Sequence, residues 1–169
     1  MRLFRSKPPT ALTDDLATHL GRRPRVLARG TGPGVEVLTL VEALAVQRDG
    51  HWTIIEWHLV QSGGWRAERG RLEWRLADQS RDRVELSEPG RVPETFQERV
   101  NASIIIQQTY DAPGGGRVMI AGRRSLVPGR GDQEPVWQAV TQGGAKLSDP
   151  QVREFVLDTT ARLRADYGF

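Results

Sequence analysis

Arginine carries most of the chemistry this sequence has to offer. Only Lys7 and Lys146 among its 24 basic residues are lysines, and a planar guanidinium fork suits phosphate or carboxylate better than a point-charge ammonium does. Arg22, Arg23 and Arg25 flank the first strand-like run, while Arg117, Arg123, Arg124 and Arg130 surround a late hairpin. Arg117 and Arg123 have the same strand parity and share a face if the strand is regular, whereas Arg124 points the other way. Residues 1–34 hold seven basic residues (Arg2, Arg5, Lys7, Arg22, Arg23, Arg25 and Arg29) against Asp14 and Asp15, a net charge of +5 in a chain whose total is +3. Arg22, Arg23, Arg25, Arg117 and Arg123 are therefore the candidate contacts for an anion or a partner. The default for each is a surface ion pair with the acids nearby.

Catalytic and metal chemistry find little support. The chain has no cysteine, which excludes a disulfide framework, thiolate metal sites and a cysteine nucleophile together. His19, His51 and His58 have no metal-ligand spacing, and the gap of seven puts the last two on opposite faces of a strand. Ser103 and Ser125 lack the surroundings of a hydrolase elbow. Glu56 and His58, two apart on one strand face, are the only acid and base worth testing. Gly114–Gly116 with Arg117, and the glycines of 30–34, precede no helix and carry no Lys-Ser/Thr tail, so they read as turns rather than phosphate loops. Trp52, Trp57, Trp65, Trp74 and Trp137 lie in alternating runs and read as packing before base stacking. Asn101-Ala102-Ser103 is a glycosylation sequon in form only, since no secretion signal accompanies it. The expectation is a protein that is not an enzyme, with no catalytic residues, no cofactor and no metal.

The elements that must position these residues are mostly strands. Leu12, Leu16 and Leu20, spaced by four and stopped by Gly21, predict a short helix capped near Thr10 or Thr13. From Val26 onward, β-branched and aromatic runs separated by Gly, Asp and Pro predict strands near 26–29, 35–47, 52–60, 65–76 and 83–87. Leu72, Trp74 and Leu76 alternate with Arg71, Glu73 and Arg75, a half-buried strand with one wet face. Gly63-Gly64 is expected to be a bulge and Glu68-Arg69-Gly70 a hairpin turn, with Ile55, Trp57 and Leu59 sharing a face. Pro93 opens a mid-chain helix. Ser103–Tyr110 and Arg117–Arg124 form a second hairpin across the glycine turn, and 135–141 adds a strand. Ser148-Asp149-Pro150 caps an amphipathic helix with Val152, Phe155, Val156, Thr159, Leu163 and Tyr167 on one face. The order implies an α+β fold dominated by antiparallel sheet, with a single domain over 1–169: a helical arm at 1–23, a first strand group at 24–90, and the helix, second strand group and terminal helix at 91–169. The longest apolar runs, such as Val37–Val41, fall far short of the ~20 residues that span a bilayer, so a soluble cytoplasmic protein is expected.

On these residues the chain resembles the bacterial pleckstrin-homology-like domains, through the meander from Arg25 to Glu88 and the helix that closes the chain. It is similar, more closely, to short uncharacterised actinobacterial proteins with a Trp-rich strand (here 52–58), an Arg-Val-Asn-Ala-Ser-Ile segment (99–104) and Gly122-Arg123-Arg124; the nearly exclusive use of arginine fits a GC-rich coding genome. The resemblance implies a strongly bent sheet or two stacked sheets plugged by a C-terminal helix, and binding rather than catalysis. The expected function is a non-catalytic binding or adaptor domain that contacts a protein partner through a strand edge or basic loops. Nucleic-acid or anionic-lipid binding through Arg22, Arg23 and Arg25 is the alternative, and a homodimer through an exposed sheet edge is compatible with either.

Overall fold

The structure, a computed structural model, describes residues 8–169; Arg2, Arg5 and Lys7 of the basic segment lie outside the described residues. Helix α1 (Thr10–Leu20) leads into a four-stranded meander of β1 (Val26–Gly32), β2 (Val35–Leu40), β3 (Ala43–Arg48) and β4 (His51–Glu56). A 3-10 turn, Trp57–Leu59, redirects the chain into a second meander of β5 (Val60–Arg66), β6 (Arg71–Leu76) and β7 (Arg81–Glu85). Helix α2 (Val92–Ala102) follows. A third sheet has β9 (Arg117–Arg123) between β8 (Ile104–Asp111) and β10 (Val136–Gln142), and α3 (Pro150–Asp166) ends the order. All strand pairings are antiparallel. The α+β class is the one read from the sequence, but the strands divide among three sheets rather than one bent sheet or two.

The run at 35–47, expected as one strand, is a hairpin that turns at Val41-Glu42. Its alternation is hidden because the first sheet is covered on both faces. Val37, Leu44 and Val46 point into the main core, while Leu38, Leu40 and Ala45 pack against Leu16 of α1, with Leu12 and Leu20 beside them. Two buried faces give a continuous apolar run, which the period of two cannot parse. The helix at 10–20 is thus a packed layer and not a detached arm. It starts after Pro9 without a side-chain cap and stops at Gly21, whose φ of +68° is left-handed.

Helix α2 fills the space against the first two sheets. Val92, Phe96 and Val100 are buried with Leu72, Trp74, Val60 and Trp57. Trp57 meets Phe96 edge-on at 5.7 Å and donates its indole N–H to Leu40 O at 3.0 Å. Because Trp57–Leu59 is a 3-10 turn and not strand, Leu59 leaves the face of Ile55 and Trp57 and is exposed. The bulge lies at Gln61, between Val60 and Ser62, and Gly63-Gly64 run in regular ladder. A Cβ on Gly63 would sit 2.6 Å from Glu73 O and 2.9 Å from Phe96 Cζ, so glycine there lets α2 approach the sheet. Over the third sheet, Val152, Thr159 and Leu163 of α3 are buried, and Asp149 caps the helix by accepting from Gln151 N–H at 2.9 Å. Tyr167, expected on that buried face, falls beyond the helix and is exposed.

Candidate functional site

The five arginines singled out by sequence do not share a site. Arg22 pairs with Glu42 at the β2–β3 turn, Arg23 reaches Asp14 of α1 at 3.2 Å, and Arg117 lies 3.9 Å from Asp111 across the β8–β9 hairpin. Arg25 is exposed and has no ion pair among the described residues. Arg123, expected at a surface, is 4% exposed. Its Nη1 donates to Val100 O (2.9 Å) and Ser103 Oγ (3.0 Å), and its Nε to Gln138 Oε1 (3.2 Å). The shared parity with Arg117 therefore does not bring two surface groups together: one end of β9 is solvent and the other is core.

Glu56 and His58 do meet, although not on one strand: Glu56 ends β4 and His58 sits in the 3-10 turn. His58 Nδ1 lies 3.4 Å from Glu56 Oε2 without hydrogen-bond geometry and is buried without a hydrogen-bond partner among the described residues. Glu56 instead accepts from Ser125 Oγ at 2.9 Å and from Arg130 at 3.0 Å. Burial pushes the His58 pKa down, against the attraction of Glu56 and with the help of Arg130. The serine proton is thus directed to a carboxylate and not to the imidazole, which is the geometry of a polar bracket holding residues 124–135 rather than that of a nucleophile and its base.

The basic surface lies elsewhere, on the outer face of the second sheet. Residues directly opposite one another in an antiparallel sheet share a face, and the register forms three rows: Ser62, Arg75 and Arg81; Gly64, Glu73 and Arg83; Arg66, Arg71 and Glu85. Five arginines against two glutamates give this face a charge of +3. An open trough of about 640 Å³ runs over it, lined among others by Gly64, Arg66, Glu73, Arg75, Arg81 and Arg83. A Cβ on Gly64 would meet nothing within 4 Å, so the floor of the trough is bare there.

The charges within the trough are unevenly matched. Glu73 accepts from Arg66 at 3.3 Å and is paired with Arg71. Desolvation would raise its pKa, but the hydrogen bonds from Arg66 and Arg71 prevail and hold the carboxyl below its usual range. Arg75, Arg81 and Arg83 have no acidic partner among the described residues. Leu76 N–H bonds Ser80 O (2.9 Å) at one end of the β6–β7 ladder and Leu86 N–H bonds Gly70 O (2.8 Å) at the other. Alternation between these places Arg75 opposite Arg81 in a non-hydrogen-bonded pair, where side chains are closest. Like charges facing in this way repel and favour an anion between them. Trp74, between Glu73 and Arg75, turns its side chain to the opposite, buried face; it is 3% exposed, and its indole N–H has no acceptor among the described residues.

In the sequence, the alternation of Arg71, Glu73 and Arg75 marks a wet strand face but not a site. Arg81 and Arg83 have the parity to extend it, and what was missing was the register that joins β6 to β7. Comparison with known protein families, with curated proteins and with solved structures finds no match. Among the described residues, no helix is long and apolar enough to cross a membrane, and no three His, Asp or Glu side chains are grouped to hold a metal ion.

Proposed function

We propose that this chain is a non-catalytic binding module whose partner surface is the arginine-rich outer face of the β5–β6–β7 sheet. The observation that carries the reading is the trio Arg75, Arg81 and Arg83, contiguous on one face, without acidic partners among the described residues, and with two of the three directly opposed. Such a face favours a partner that brings carboxylates or phosphates. The resemblance to pleckstrin-homology-like domains is part of this proposal. It is supported by the order of four strands, three strands and a helix over 26–102, in which the helix packed against both sheets is α2 and not the chain-closing α3. A polyanion reached through Arg22, Arg23 and Arg25 is the weaker reading, because Arg22 and Arg23 already hold Glu42 and Asp14.

Retention on immobilised heparin separates the two. The variant Arg75→Gln/Arg81→Gln/Arg83→Gln is expected to elute at clearly lower salt than the parent, and Arg22→Gln/Arg23→Gln/Arg25→Gln close to it, since a lost contact with a polyanion reduces both affinity and its salt dependence. The opposite order would move the site to the amino-terminal segment.

A further inference from the structure

Resting on that basic face, we propose that its ligand is an extended acidic segment of a partner protein, added as a strand to the free edge of β5 with its carboxylates over the trough. Alternation across β6 turns the backbone groups of Arg71, Glu73 and Arg75 toward β5, which leaves Gly63 and Trp65 with N–H and C=O directed outward. Among the described residues, none of 62–66 makes a backbone hydrogen bond beyond the β5–β6 ladder, and Ser62 and Gly63 are exposed.

The opposite edge of the sheet is already engaged. Arg48 of β3 grips Asp82 with both Nη atoms at 3.0 Å and donates to Arg83 O at 2.7 Å. Gly32 of β1 approaches Glu85 O so closely that a Cβ would lie 1.9 Å from it. An unpaired edge beside a paired one is a template for strand addition.

Charge and shape select the occupant. On the face shared with the trough, β5 presents Ser62, Gly64 and Arg66. The first two carry almost no side chain, so the Arg75 guanidinium is free to lean across β5 toward a carboxylate on an added strand, about 5 Å further out. Arg66 stands in β5 itself and is exposed. The trough is open, whereas a small-molecule site buries most of its ligand. Its one aromatic, Trp74, is buried, so no platform for base stacking is offered. Glu73 within the row opposes a uniformly anionic polymer but suits a segment in which acids alternate with neutral residues.

The test uses the full chain and a fluorescein-labelled heptapeptide alternating threonine and glutamate, with a block isomer of the same composition as control. Binding by the alternating peptide is expected to be at least about tenfold tighter than by the isomer, and N-methylation of one parity of its residues to weaken it by a similar factor while the other parity is tolerated, as one or two lost main-chain hydrogen bonds require. Amide exchange at Gly63 and Trp65 slows in the complex. Gly64→Val, which the bare floor accommodates, and Arg66→Gln/Arg75→Gln each weaken binding. Equal affinity for the two isomers, indifference to N-methylation, or no peptide binding at all overturns the inference, even if heparin retention still depends on Arg75, Arg81 and Arg83 and the basic-face reading stands. A concentration-dependent dimer that the peptide displaces from β5 overturns it in favour of a second copy. Loss of the heparin dependence removes both readings.

Discussion

A guanidinium buried without a carboxylate is costly, and Arg123 shows how a fold offsets that cost. Burial lowers its pKa, yet arginine remains charged at any ordinary pH. Its Nη1 meets Val100 O in the last turn of α2 and Ser103 Oγ at the helix C-cap, where the helix dipole is negative. Ser103 Oγ in turn donates to Val100 O at 2.7 Å. Removing the guanidinium leaves buried acceptors unsatisfied, so Arg123→Met is expected to lower unfolding free energy by about 2–4 kcal/mol. Arg123→Lys, which keeps charge but loses the fork, should fall between that and the parent. Urea denaturation followed by tryptophan fluorescence measures both; a loss below about 1 kcal/mol for Arg123→Met would show that these contacts contribute little to stability. Nothing about Gly122-Arg123-Arg124 as a string distinguishes this arginine from its exposed neighbour, because strand parity assigns a face and not the cover over that face.

The glycine pair of β5 shows the same distinction between elements. Gly63 faces α2 and Gly64 faces the trough. Gly63→Ala must displace Phe96 or the β6 backbone and is expected to destabilise by about 1–3 kcal/mol, as overpacking does. Gly64→Ala should be neutral or slightly stabilising, since an extended glycine with open space around it gains from a less flexible unfolded chain. Equal thermal denaturation midpoints for the two variants would mean that α2 does not pack against β5 as closely as described. From sequence the pair reads as a bulge, because glycine in a strand signals either irregularity or close approach and only the partner element decides between them. The same holds for 35–47, where burial on both faces erased the hairpin. By contrast, α2, α3 and the β8–β9 hairpin were readable, since a proline at the start, an Asp149 cap and a glycine turn are local signals that no distant partner alters.

At the scale of the whole molecule, the described residues form three clusters of buried apolar side chains, and polar contacts tie the last sheet to the first two. Gln138 of β10 receives Arg123 and donates to His58 O at 3.1 Å, while Ser125 and Arg130, beyond β9, hold Glu56 at the end of β4. His58 is enclosed by this bracket, with its side chain 14% exposed and Nδ1 without a hydrogen-bond partner among the described residues. Because burial lowers its native pKa below the ordinary 6.5, the unfolded chain takes up the His58 proton first as pH falls. Stability from this residue is therefore complete above about pH 6.5 and declines as the pH drops from there toward the native pKa. Unfolding midpoints in urea should fall between about pH 7 and about pH 5.5, before most carboxylates titrate, and His58→Asn should flatten that slope. An identical slope in the variant would place the pH dependence elsewhere. A flattened one would mean that protonating a single enclosed imidazole weakens the junction between the third sheet and the rest, which is where the molecule is joined by hydrogen bonds in place of a continuous apolar core.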